Sequence, residues 1–112
     1  MQTIETGAFR TNSSMRIPPQ DIEAEKALLG SVMISPQALY DIADIINLDS
    51  FYVDKHRIVY RAMMELFGKS EPIDLLSLSS KLKEHEMLDS IGGSTFLAEL
   101  VGSVPSASHV EH

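Results

Sequence analysis

From Ile17 onward apolar residues return every three to four positions and nowhere alternate over a useful length, so the pattern predicts helices separated by short turns and no strand. A first helix is expected over about Asp21 to Met33. Ala24, Ala27, Leu28, Ser31 and Val32 share its face, and Ile22, Leu29 and Met33 widen it. Pro18 and Pro19 hold the incoming backbone extended, and Asp21 stands where a side-chain oxygen accepts from the free amides of the first turn. Glu23 and Glu25 place negative charge at the positive end of the helix dipole.

The same punctuation recurs downstream. Ser35-Pro36 offers an N-cap and a pre-set first helical residue, so a second helix is expected from Pro36, with Leu39, Ile42, Ala43 and Ile46 as its stripe. Asn47, Asp49 and Ser50 end it, Phe51-Tyr52 form a bulky plug, and Asp54 is placed to cap a third helix. That helix carries Ile58, Val59, Ala62, Met63, Leu66 and Phe67, the broadest apolar face in the chain, and Gly68 is the expected left-handed stop. Pro72-Ile73-Asp74 leads into a fourth helix over about Leu75 to His85. Asp89-Ser90-Ile91-Gly92-Gly93 reads as a turn, after which Ser94 or Thr95 caps a fifth helix bearing Phe96, Leu97, Leu100 and Val101. Ser106 opens a sixth that has barely two turns before His112. The elements predict an all-α fold, a compact orthogonal bundle of about five to six short helices, with residues 1–16 a flexible polar tail and 17–112 the folded unit.

Composition narrows the function classes. A chain of 112 residues supports one core, burying roughly two thirds of its unfolded surface. Sixteen acidic residues against nine basic ones give a formal charge of −7, a field that repels phosphate backbones. The absence of cysteine excludes disulfides, thiol catalysis and zinc thiolates, and fits a reducing compartment. The polar stretch from Met1 to Met15 lacks the layout of a secretion signal, and no apolar run reaches the about 20 residues of a membrane span. A cytoplasmic location is therefore expected, where the glycosylation triplet Asn12-Ser13-Ser14 has no meaning.

Chemistry-bearing clusters resolve into ordinary roles. Gly68-Lys69-Ser70 ends like a phosphate-binding loop, but Met63 stands where that loop needs glycine and a helix precedes it instead of a strand. His109, Glu111 and His112 offer no third imidazole or thiolate for a metal. His56 would need a nucleophile or carboxylate converging on it in a pocket to act as a base, and packing on Phe51 or Tyr52 is the expectation. Asp21, Glu23 and Glu25 are explained by the helix dipole without a divalent cation. Lys55, Arg57 and Arg61 form one basic patch, while Lys81 and Lys83 interleave with Glu84 and Glu86, both solvated faces in character. No catalytic, cofactor-binding or metal residue is expected.

Five ordered blocks carry a family resemblance. They are Pro18-Pro19-Gln20-Asp21-Ile22-Glu23-Ala24-Glu25 running to Leu28-Leu29-Gly30; Phe51-Tyr52 with His56, Val59-Tyr60 and Ala62-Met63; Glu71-Pro72-Ile73-Asp74-Leu75; Ile91-Gly92-Gly93 with Phe96-Leu97-Ala98-Glu99-Leu100; and Val104-Pro105-Ser106-Ala107. In order and spacing they resemble the N-terminal domain of DnaB-type replicative DNA helicases over Ile17 to His112. The resemblance implies a collar domain that organises a hexameric ring and docks primase and, in some systems, a helicase loader. It further implies that the completed helical hairpin, the linker and the RecA-like motor, which binds ATP and magnesium and unwinds DNA, lie outside this sequence. On this reading the chain itself is not an enzyme, and its partner-contact residues are unassigned. Two rival readings are a stand-alone nucleic-acid-binding helical module using Lys55 and Arg57, and the similarly folded helicase-binding domain of a primase.

Overall fold

A computed structural model of the chain describes residues 21–105. In these residues six α-helices follow one another: α1 (Ile22–Ile34), α2 (Ala38–Ile42), α3 (Asp54–Gly68), α4 (Leu75–Glu84), α5 (Leu88–Ile91) and α6 (Ser94–Gly102), with a 3₁₀ turn η1 (Leu48–Ser50) ahead of α3. No strand occurs among them, so the all-α expectation holds. The expected tail, the prolines at 18 and 19 and the helix expected from Ser106 lie outside the described residues.

Helix α3 is the centre, as its broad apolar face predicts. Val59, Tyr60, Ala62, Met63 and Leu66 are buried along it, with His56 in its first turn, while Ile58 and Phe67 sit at the margin. Each fully buried aliphatic of this kind contributes roughly 1.5 to 3 kcal/mol relative to exposure. Phe51 fills the space ahead of α3 and lies 5.1 Å, ring centre to ring centre, from Tyr60, whose hydroxyl donates to the Ile46 carbonyl at 2.8 Å.

Helices α1 and α6 close the other side. Gly30 of α1 lies against the α6 backbone: a Cβ there would stand 2.0 Å from the Leu100 carbonyl oxygen and 2.7 Å from Val104. Only a residue without a side chain permits this approach. The buried positions of α1 are Glu25, Leu29, Gly30, Val32 and Met33. The inward face is thus rotated from the expected one, because close packing on α6 requires Gly30 to point inward, and this carries Glu25 in while leaving Ala24 and Ala27 only partly covered.

The caps divide into those read correctly and those replaced. Asp21 accepts from the Ala24 amide at 3.1 Å, and Asp74 from the Ser77 amide at 2.8 Å. Asn47 accepts from the Asp49 amide, and Ser50 Oγ from the Asn47 amide, so the cluster expected to end helix two instead forms a capped 3₁₀ turn. Ser35 does not cap α2. The helix starts later, at Ala38 after Gln37, because the residues from Ser35 form a turn in which the Ser35 carbonyl accepts from the Ala38 amide. Asp54 is the first residue of α3 and pairs with Arg57 instead of capping. Gly93, not Ser94 or Thr95, precedes α6, and Ser94 Oγ is engaged by Ser79 Oγ at 2.9 Å. The stretch expected as a turn contains the short helix α5 ahead of the left-handed Gly92 (φ 104).

Gly68 stays helical, and the left-handed residue is Ser70 (φ 56), with Glu86 (φ 59) in the same role after α4. Both close the hydrogen-bond pattern of a Schellman turn. Glu71 N–H donates to the Leu66 carbonyl and Ser70 N–H to Phe67; Met87 N–H donates to Leu82 and Glu86 N–H to Lys83.

Candidate functional site

The three acidic residues at the start of α1 do three separate things. Asp21 caps the helix, and Glu23 is exposed, 3.8 Å from Lys26. Glu25 is fully buried. Its Oε2 accepts from the Tyr52 amide at 2.7 Å, and its Oε1 accepts from the Val53 amide at 3.3 Å and meets His56 Nδ1 at 2.7 Å. Glu25 therefore reaches from α1 to the two backbone amides of the loop that enters α3, Tyr52 and Val53, and no side chain caps the first turn of α3 itself.

A carboxylate fixing an imidazole is half of an acid–base catalytic arrangement. Here the pair is enclosed. His56 is 1 % exposed, and its ring stacks on Phe96, with centres 5.8 Å apart and planes at 14°. It packs on Phe96, not on Phe51 or Tyr52 as expected. The two residues act as a clasp joining α1, the loop before α3, and α3 itself. The signal for Glu25 was present in the sequence: it shares a stripe with Leu29, Val32 and Met33, and a carboxylate on an apolar stripe requires a buried partner.

The basic patch does not face outward as one surface. Lys55 Nζ lies over the Phe96 ring at 4.2 Å, and Arg57 donates to the Phe51 carbonyl and pairs with Asp54. Within this patch Arg61 is the exposed member that makes no ion pair among the described residues. Lys69 closes α3 beside Glu65 at 4.0 Å, with a helix and not a strand before it, so no phosphate cradle forms there. His109, Glu111 and His112 lie outside the described residues. Among the described residues no group of three or more His, Asp or Glu side chains is placed to hold a metal ion, and no helix is long and apolar enough to cross a membrane.

Two ion networks organise the surface. Glu65 accepts from His85 at 2.9 Å and faces Lys81 at 3.7 Å. The His85 hydrogen bond, followed by the charges of His85, Lys81 and Lys69, holds the Glu65 carboxyl below its ordinary value of 4.5. Lys26 pairs with Glu99 across α1 and α6. That hydrogen bond raises the lysine above 10.5 and lowers Glu99 below 4.5.

Two grooves stand out among the described residues. One, of about 400 Å³, lies between the start of α2 and the α3–α4 connection, floored by Met33 and Ile73 and flanked by Tyr40 and Phe67. The other, of about 300 Å³, runs between α3 and α4 past Ile58, Ala62 and Leu82, with Arg61, Glu65 and His85 mixing charge signs along it.

Comparison with known proteins agrees in kind. A family model described as "DnaB-like helicase N terminal domain" matches residues 17–112. The chain is 42% identical over 95 residues to the replicative DNA helicase DnaB of Synechocystis, covering 85% of this chain and 11% of that protein. It is 41% identical over 99 residues to the replicative DNA helicase DnaB of Geobacillus stearothermophilus, covering 88% and 22%. The crystal structure of the N-terminal domain of DnaB helicase from Mycobacterium tuberculosis superposes with a TM-score of 0.75 at 35% identity, over 80% of this chain and 62% of that one. The chain thus spans 11% and 22% of the length of these two helicases.

Proposed function

Because the chain belongs to the DnaB-like helicase N-terminal domain family, we propose that it serves as the collar part of a replicative helicase, organising a hexameric ring and offering docking surface to primase or a helicase loader. The observation that carries this reading is the match over 17–112, which takes in all of the described fold. Unwinding and ATP hydrolysis, with their ATP and magnesium, belong on this reading to a motor domain distinct from these residues. The inward use of Lys55 and Arg57 weighs against the rival of a stand-alone nucleic-acid-binding module.

The test is a chimera. Residues 17–112 replace the corresponding segment of the Geobacillus stearothermophilus helicase, and ring assembly is followed by native mass spectrometry and primase capture by co-sedimentation. Assembly and capture near the parent's level are expected, where a helicase lacking the segment is deficient. A chimera as deficient as the deletion refutes the collar reading. The isolated chain is expected to hydrolyse no ATP, and turnover that survives purification yet is lost on mutating this chain would refute that part.

A further inference from the structure

We infer that the groove between α2 and the α3–α4 connection is a docking site for a partner-protein segment carrying an apolar side chain flanked by Lys or Arg. The inference stands on the groove alone and does not depend on the collar reading. Its floor is apolar, with Met33 and Ile73 nearly without solvent contact. At its mouth Tyr40 is 74% exposed, yet its ring is held edge-on against Phe67 with centres 4.8 Å apart. A large aromatic fixed in place while facing water loses little entropy on capture, which is the character of an interface anchor.

Charge selects the occupant. The charged residues lining the groove are Glu71 and Asp74, both exposed and both without an ion pair among the described residues; no Lys or Arg lines it. By contrast, the groove between α3 and α4 carries both signs and neutralises itself. Around the α2 groove the acidic rim and the molecule's charge of −7 repel nucleic acid and a second acidic copy meeting rim to rim. An apolar residue seated beside Tyr40, with cations reaching Glu71 and Asp74, meets every feature of the surface.

The probe is a fluorescein-labelled peptide of Leu, Phe, Lys and Arg, alongside a twin in which Glu replaces each cation, titrated against the full chain by anisotropy. Binding of the basic peptide is expected, with roughly tenfold loss for Tyr40→Ala and for Glu71→Lys. Asp74→Asn, which keeps an N-cap acceptor, should weaken it less. Asp89→Lys, on α5 outside the groove, should change it less than about twofold, since a distant exposed charge contributes little at ordinary salt. Equal losses for Asp89→Lys and Glu71→Lys, no binding of the basic peptide, or preference for the acidic twin would each overturn the inference. So would a gain of about tenfold on deleting residues 1–16 that Tyr40→Ala abolishes, because the chain's own segment would then be the competing occupant. Self-association removed by Tyr40→Ala would assign the groove to a second copy and overturn it equally. Circular dichroism of each variant separates lost binding from lost fold.

Discussion

Replacing Glu25 by Gln isolates the chemistry of the clasp, since the change keeps the side chain's shape. The carboxylate has three donors: the Tyr52 amide on Oε2, and the Val53 amide with His56 Nδ1 on Oε1. A carboxamide has one oxygen, and its NH2 must point either at the Tyr52 amide or at the other two donors. One or two donors thereby lose their acceptor, at about 1 to 3 kcal/mol for the buried imidazole and toward the lower end for the part-buried amides. Glu25→Gln is therefore expected to cost about 2 to 4 kcal/mol, and Glu25→Ala about 3 to 5, because truncation orphans all the donors at once. Glu23→Gln, two residues away and exposed, should stay within about 0.5 kcal/mol. Urea melts followed by circular dichroism give the comparison, with a constant slope confirming that stability alone has changed. If Glu25→Gln melts with Glu23→Gln, the carboxylate is not holding α1 to α3 and the reasoning fails.

Other perturbations follow from the same coordinates. Gly30→Ala should destabilise by about 3 kcal/mol, because the added Cβ meets the Leu100 carbonyl, a backbone atom that cannot rotate away; a neutral thermal melt would refute the close approach. Glu86→Gly should stabilise by about 0.5 to 1 kcal/mol, trading left-handed strain against the greater freedom of an unfolded glycine. A loss in the urea midpoint would show that the Glu86 side chain matters more than its φ. His85→Asn should move the Glu65 carboxyl midpoint upward in a ¹³C NMR titration, since the His85 hydrogen bond is the foremost cause of its depression. The sign for stability follows: Glu65's contribution is complete above its unfolded value near 4.5 and fades as pH falls through the lower folded value. An unmoved Glu65 midpoint would remove His85 from that account.

Helix existence was legible in the sequence because it rests on periodicity, which α3 and α6 display over their whole buried faces. Local caps were legible only where the acceptor serves amides two or three residues ahead, as Asp21 and Asp74 do. What was not legible depended on partners far along the chain. The entry into α3 is held by Glu25, 27 and 28 residues away from the loop amides it serves, and no local spacing signals that bond. The inward face of α1 is half legible: Glu25, Leu29, Val32 and Met33 share a stripe, but the crossing of Gly30 on α6 that selects this stripe is a contact that no window along α1 contains. Ser70 and Glu86 break the preference for glycine at left-handed positions, and the surrounding hydrogen bonds impose what composition disfavours. The groove has no signal in any one stretch of sequence because its wall combines α1, α2, the end of α3 and the segment before α4, each unexceptional by itself.

The closure of α1 on α6 also sets an order in time. Lys26 waits for Glu99, 73 residues later, and Gly30 has no surface to meet until Leu100 exists. On a ribosome adding about 5 to 20 residues per second, that is a delay of roughly 4 to 15 seconds. During that interval Leu29 and Val32 lack the cover that α6 supplies, and His56 lacks the Phe96 ring on which it stacks. The glycine crossing and the enclosure of the clasp therefore both wait for α6, the last helix of the described fold to be made.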